Sequence, residues 1–153
     1  MSISAPKDGQ YSSWEATLVD RYPLALSEMR RHSQPLGTFG CQAVARWGIE
    51  CHPGWRQIVE RLLDGLETAI ATQPADRREQ FRIVQLKEKF GLLTVYLAGT
   101  PTPDMSAVIQ EAREASRVTC EVCAEPGRFD KRRGWFAVRC AAHEDWVPQP
   151  WLV

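Results

Sequence analysis

Four potential metal ligands lie in two pairs near the end of the sequence. Two residues separate Cys120 from Cys123 and Cys140 from His143, and sixteen residues lie between the pairs. This spacing lets each pair form a tight turn with both donors facing one ion, and the loop is long enough to bring the turns together. Thiolates and an imidazole favour Zn²⁺ over Mg²⁺ or Ca²⁺, which take oxygen ligands. The spacing therefore predicts one bound Zn²⁺.

The predicted zinc is structural rather than catalytic. Four protein ligands fill a tetrahedral zinc and leave no position for an activated water. The His-x-Glu element of zinc deaminases is also missing from the sequence. Five cysteines are an odd number, and no apolar signal segment precedes them, which argues against a disulfide framework. We therefore expect a structural zinc site in a cytoplasmic protein.

Helical patterns predict the elements that position this site. Apolar residues from 14 to 31 follow helical spacing, and Pro23 divides them into two short helices. Residues 55–72 have the clearest amphipathic pattern. Thr102, Pro103 and Asp104 have the residue types of a helix start. The inner face of that last helix is predicted to carry Met105, Val108, Ile109, Ala112 and Ser116.

Two β-rich runs, residues 81–86 and 92–98, predict an antiparallel hairpin with a charged loop at 87–91. The order of helix, hairpin, helix and metal motif predicts an α+β fold, with amphipathic helices packed on the hairpin. We expect a core at 14–117 and a treble-clef-like or ribbon-like zinc module at 118–146. A flexible arm at 1–13 and an apolar tail at 147–153 complete the predicted organisation.

Composition restricts the possible partners. The chain has 19 basic and 19 acidic residues, so it has no net charge to attract nucleic acid or an anionic membrane. Its longest apolar run, residues 92–98, is far shorter than the ~20 residues of a membrane span. We therefore expect no membrane partner, and no motif indicates a small-molecule substrate.

Further motifs accompany the metal ligands. They are Glu50-Cys51-x-x-Gly54-Trp55, then Lys87-Glu88-Lys89-Phe90-Gly91 followed by Tyr96, then Ser116, and finally Gly134-Trp135. Together with the four ligands, this combination resembles an uncharacterised family of small bacterial and phage proteins over residues 47–143. The resemblance implies the architecture and a zinc site but no reaction. His52 and Ala124 replace glycines of the family pattern, and Thr94 replaces an arginine.

Cys51 beside His52 offers one alternative, a thiol enzyme or hydrolase in which the imidazole lowers the pKa of the thiol. Adjacent side chains in an extended loop usually point apart, so we favour a buried thiol at this position. We expect Cys41 to be a core residue as well. The sequence therefore predicts no catalytic residue.

Two basic segments are candidates for partner binding. The candidate residues of the hairpin loop are Lys87, Lys89 and Phe90. We favour the alternative in which the charges only solvate the turn and Phe90 folds back onto the core. The candidate residues of the second segment, between the ligand pairs, are Arg128, Lys131, Arg132 and Arg133. Cations interleaved with aromatic residues can also bind nucleic acid, which makes the loop at 128–139 a candidate for that partner.

The leading hypothesis is a zinc-stabilised protein that is not an enzyme and acts through a protein-protein interface, as inhibitors and toxin-immunity proteins do. A nucleic-acid-binding accessory protein that uses the loop at 128–139 is the second hypothesis. A thiol enzyme centred on Cys51 and His52 is the third.

Overall fold

A computed structural model describes residues 13–31, 44, 48–132 and 134–146. In this part of the chain the fold is mixed α+β, as predicted. The predicted arm, apart from Ser13, and the predicted apolar tail lie outside the described residues, as do Cys41 and Arg133. Within the described ranges, no helix combines the length and apolar character that crossing a membrane requires.

The first helical segment is divided as predicted. Helix α1 spans Ser13–Arg21, helix α2 spans Ser27–Arg31, and Pro23 lies in the turn between them. The carboxylate of Glu67 accepts hydrogen bonds from the backbone amides of Leu24 and Ala25. This carboxylate therefore fixes the turn that proline opens.

Helix α3 spans Arg56–Ala71 and follows a short helical turn at Pro53–Trp55. Its predicted apolar face is buried, and Trp55 is fully buried at the start of it. Helix α4 spans Pro103–Arg117 and packs against α3. The Thr102 hydroxyl accepts a hydrogen bond from the Met105 amide at 3.3 Å, which confirms the predicted helix start.

Three strands form the main sheet in the order β1-β2-β3. Strand β1 is Ile49–Glu50, β2 is Arg82–Lys89 and β3 is Leu92–Ala98. Strands β2 and β3 form the predicted antiparallel hairpin, and β1 pairs parallel to β2. Strand β1 was not expected, because two residues are too few to show an alternating pattern. Its position brings the Glu50 to Trp55 motif beside the hairpin.

The predicted loop at 87–91 is wrong in extent. Lys87 and Lys89 belong to β2, and only Phe90 and Gly91 form the turn. Their φ angles of 52° and 82° are those of the two-residue turn that matches strand twist. Asparagine and glycine are the usual residues of such a turn. Because Phe90 stands at the first of these positions, the sequence did not indicate a two-residue turn.

A second hairpin connects the two ligand pairs. Strand β4 is Arg128–Arg132 and β5 is Trp135–Arg139, paired antiparallel. Gly134 precedes β5 with a φ of 87°, a conformation that favours glycine. Strand β5 leads directly to Cys140, and the chain continues from there into a short helical turn at Ala141–His143.

Candidate metal centre and its surroundings

The fold brings the four predicted ligands together. Their donor atoms all lie within 4.8 Å of one another. The Cys123 and Cys140 sulfurs are 3.6 Å apart, and His143 Nδ1 lies 3.3 Å from the Cys140 sulfur and 3.8 Å from the Cys120 sulfur. Bonds of about 2.3 Å to sulfur and 2.0 Å to nitrogen place tetrahedral donors about 3.5 to 3.8 Å apart. Three of the six donor-donor distances are thus close to those of a tetrahedral site, and the cluster could hold a metal ion.

Backbone amides prepare the Cys120 sulfur for metal binding. Burial alone would raise the pKa of this thiol, but hydrogen bonds from the amides of Cys140, Cys123 and Val122 lower it to about 7. Since the thiolate is the form that binds a metal, these amides favour the ligating state. Cys140 belongs to the other ligand pair, so its amide also links the two halves of the site.

The first ligand pair forms a tight turn. The Ala124 amide donates to the Cys120 carbonyl at 2.9 Å, and the Cys120 amide donates to the Glu125 carbonyl at 2.7 Å. Ala124 has a φ of 70°, a left-handed conformation in which glycine is more stable. The alanine at this position therefore costs stability that a glycine would not.

The Glu50 to Trp55 motif supports this turn from the core. The Gly54 amide donates to the Glu121 carbonyl at 2.7 Å, and a Cβ on Gly54 would overlap the carbonyl oxygens of Cys120 and Glu121. The indole of Trp55 donates to the Thr119 carbonyl at 2.9 Å. Glycine and tryptophan therefore allow the start of α3 to pack directly against the first ligand pair.

A buried ion pair joins the two ligand pairs. Arg139 Nη1 lies 3.2 Å from Glu121 Oε2, and their side chains are 1% and 3% exposed. Glu121 Oε1 also accepts a hydrogen bond from the His52 amide at 3.3 Å. No local pattern in the sequence predicts this pair. The available signal was position, since Glu121 directly follows Cys120 and Arg139 directly precedes Cys140.

The structure gives Cys51 and His52 separate surroundings. Cys51 packs against the hydrophobic core, where burial and the charges of Glu121 and Glu15 raise the pKa of its thiol. The His52 ring contacts Trp146 edge to face at 4.6 Å, with Nε2 4.0 Å from Glu121. Burial, followed by Arg139, lowers the pKa of this imidazole. A thiol held protonated is poorly suited to nucleophilic attack.

The tip of the β2-β3 hairpin packs on strand β5 of the second hairpin. A Cβ on Gly91 would lie 2.9 Å from the backbone of both Phe136 and Ala137, so the β2-β3 turn packs closely on β5. Phe90 and Trp135 are 72% and 70% exposed, and Phe136 is 42% exposed. The expectation that Phe90 folds onto the core is therefore wrong. Its left-handed conformation directs the ring to solvent beside the second hairpin.

The predicted basic residues differ in their surroundings. Lys89 donates to the Tyr96 hydroxyl at 2.8 Å, and Lys131 lies 5.8 Å above the Phe136 ring. Lys87 is half-buried. Arg128 is exposed but pairs with Asp130 at 3.2 Å. Arg133 and the side chain of Arg132 lie outside the described residues.

The proposed nucleic-acid segment at 128–139 needs one correction. Arg139 is buried and paired with Glu121, so it is not available to a phosphate backbone. The carboxylate of Asp130 pairs with Arg128 and so offsets the positive charge of a second arginine in the segment. The exposed positive charge is therefore smaller than the sequence indicated.

Comparisons with protein-family models, with curated proteins and with solved structures gave no match. The described residues thus define a mixed α+β protein with a Cys₃His cluster that could hold a metal ion. What the protein does has to be inferred from this site and from the surface beside it.

Proposed function

We propose that this chain is a zinc-stabilised binding protein, not an enzyme, and that it recognises a protein partner. The partner would bind the tip surface, which we define as Lys89, Phe90, Lys131, Trp135 and Phe136. Inhibitors and toxin-immunity proteins act in this way. The observation that carries the proposal is the close packing of Gly91 on β5, which brings the exposed Phe90 up to the strand that carries the exposed Trp135 and Phe136.

Zinc is the metal that suits the cluster. Three sulfur donors and one imidazole nitrogen are soft and borderline ligands, and four such donors suit a tetrahedral zinc. With four protein ligands, the ion would stabilise the fold and take no part in a reaction. The first ligand pair lies in a tight turn, a hairpin follows it, and the second pair lies at a short helical turn. This order supports a treble-clef-like module, with a zinc ribbon as the alternative.

Exposed aromatic side chains on a rigid support favour a binding role. Tryptophan and other aromatic residues dominate the energetic centres of protein interfaces because they bury large areas with few rotatable bonds. Trp135 and Phe90 lose contact with water only if a partner covers them. A hairpin tip fixed by metal ligands and by close backbone packing also loses little entropy on binding.

The backbone of Phe90 supports the same interpretation. A bulky residue in the left-handed region costs roughly 1 to 2 kcal/mol relative to its ordinary conformation. Phe90 has this conformation and contributes little to the core, since its ring is mostly exposed. Stability is therefore lost at a position where asparagine would fit better, as is common at functional residues.

The charges of the tip surface favour protein over nucleic acid. Lys89 and Lys131 are the described cations among the exposed aromatic rings, and both lie within 6 Å of a ring centroid. Nucleic-acid affinity rises with the number of phosphates neutralised, and the two lysines among the described side chains contribute only a weak electrostatic attraction of that kind. Two lysines at the edge of an aromatic surface are better matched to carboxylates surrounding an apolar site on a protein.

The test is affinity capture from extracts of the source cells with tagged wild-type protein and with the W135A variant. V118A is the matched control, because Val118 is an exposed apolar residue outside the tip surface. Wild type and V118A should capture the same protein after nuclease treatment, and the purified partner should bind W135A at least tenfold more weakly. Capture that nuclease abolishes, together with binding to single-stranded (dT)20, would replace this proposal with a nucleic-acid partner.

A further inference from the structure

The Glu121-Arg139 ion pair lies where the two halves of the metal site meet. Glu121 is inside the first ligand pair and Arg139 is next to the second. Neither residue is a metal ligand. Their bond crosses from the turn that carries Cys120 to the strand that leads to Cys140. A change in this bond would therefore alter the position of one ligand pair relative to the other.

Both partners of the pair are fixed by further contacts. The Glu121 amide donates to the Val138 carbonyl at 3.2 Å, and Arg139 Nη1 donates to the same carbonyl at 2.9 Å. The guanidinium carbon of Arg139 lies 4.8 Å from the centroid of the Trp146 ring. The Trp146 amide donates to the carbonyl of the ligand His143 at 3.0 Å. The ion pair thus belongs to a network that reaches both ligand pairs.

Net stabilisation does not explain this pair well. Removing two charges from water costs several kcal/mol per ion, and the attraction between them offsets that cost only with good geometry. Here Arg139 Nε is also buried with no hydrogen-bond partner among the described residues, which adds to the cost. A buried pair with these properties is better explained by the geometry it imposes.

We propose that Glu121 and Arg139 are positioning residues for the metal site. Their bond fixes the peptide that precedes Cys140 against the turn that contains Cys120. The hydrogen bond from the Glu121 amide to the Val138 carbonyl, at 3.2 Å, holds the same two segments together. The four donors are then held close to one another, and the metal does not have to reorganise them on binding.

A second ion pair provides a matched control. Glu28 pairs with Arg82 and links α2 to β2, and the Glu28 side chain is 4% exposed. The residue types are the same as in the Glu121-Arg139 pair. No metal ligand adjoins it among the described residues. A change at Glu28 therefore reports the effect of losing a buried carboxylate charge without any effect on ligand geometry.

The experiment measures zinc affinity by competition with a chromophoric chelator for wild type, E121Q, R139K and E28Q. E121Q keeps the size of the side chain and removes its charge. R139K keeps the positive charge and loses the planar guanidinium. It therefore tests the same ion pair if E121Q does not fold. The visible absorption of the Co²⁺-substituted proteins provides a second measurement, which reports ligand geometry rather than stability.

We expect E121Q to bind zinc 10- to 100-fold more weakly, as is typical when residues that orient metal ligands are changed. R139K should fall between E121Q and wild type, and both should have altered Co²⁺ spectra. E28Q should keep wild-type affinity and the wild-type spectrum. Wild-type affinity and spectra in both E121Q and R139K would overturn the positioning role.

This inference rests on the zinc site proposed above, and the two can fail separately. A wild-type protein that binds no zinc refutes the zinc site and the positioning role with it. A wild-type protein that binds zinc no more tightly than E121Q and R139K refutes the positioning role alone.

Discussion

The helical core and the metal module are held together by different means. Helix α3 buries a continuous apolar face, including Leu62, Leu63 and Leu66, against its neighbours. Among the described residues of the metal module, 118–146, few apolar side chains are buried, chiefly Ala137 and Val138. The module has instead four potential metal ligands, one buried ion pair and close contacts at glycine. The core therefore derives its stability from many similar contacts, whereas the module depends on a few that cannot be replaced.

Metal removal should produce the largest difference in stability between the two regions. Structural zinc contributes on the order of 10 kcal/mol of binding free energy in small modules. Chelation should therefore remove hydrogen-exchange protection from the amides of β4 and β5 while α3 remains protected. Equal loss of protection in both regions would mean that the core depends on the metal as well.

A cavity in the core should have the next largest effect. L62A should lower the free energy of unfolding by roughly 2 to 5 kcal/mol, because Leu62 is almost fully buried. Q57A changes an exposed residue of the same helix and should have little effect. Chemical denaturation measures both variants. A loss well under 1 kcal/mol in L62A would show that this face of α3 is peripheral.

Ser116 connects helix α4 to the sheet near the metal module. Its hydroxyl accepts a hydrogen bond from the buried Leu93 amide at 3.0 Å. S116A leaves that amide without its partner and should cost about 1 to 3 kcal/mol. S106A, at an exposed position of the same helix, should be close to neutral. Equal unfolding free energies for the two variants would contradict this account of the contact.

The smallest expected effect is a gain in stability at the hairpin tip. F90N should raise the unfolding free energy by about 1 kcal/mol, because asparagine tolerates the left-handed conformation of the turn. The same variant should weaken partner binding at least tenfold. Thermal unfolding measures the gain in stability, and the binding assay measures the loss of affinity.

Ala124 supplies the control for that prediction. A124G relieves the same kind of backbone conformation, at a φ of 70°, but directly after the first ligand pair and not in the β2-β3 turn. It should raise stability and leave partner binding unchanged. If F90N and A124G weaken binding equally, the effect does not come from the Phe90 ring.

The two regions also differ in how much the sequence revealed. Helical periodicity identified α3 and its buried face, because many residues repeat the same signal. The ligand spacing identified Cys120, Cys123, Cys140 and His143, because two-residue separation has a geometric meaning. The order of these elements was enough to predict the α+β fold.

The rest depends on contacts between distant residues that no local pattern records. In the sequence, Glu121 and Arg139 look like ordinary charged residues, and only the folded structure shows that they form a buried pair. The packing of Gly91 on β5 joins segments that are 45 residues apart, from Gly91 to Phe136. Phe90 was assigned to the core because its hydrophobicity, rather than its backbone conformation, was visible in the sequence.

Metal analysis of the purified protein tests the central claim most directly. Protein isolated without added metal should contain one zinc per chain. The C140S variant should lose it, and C51S should retain it, because Cys51 lies in the core and not among the ligands. A zinc content near zero in wild type, or full zinc in C140S, would contradict the account.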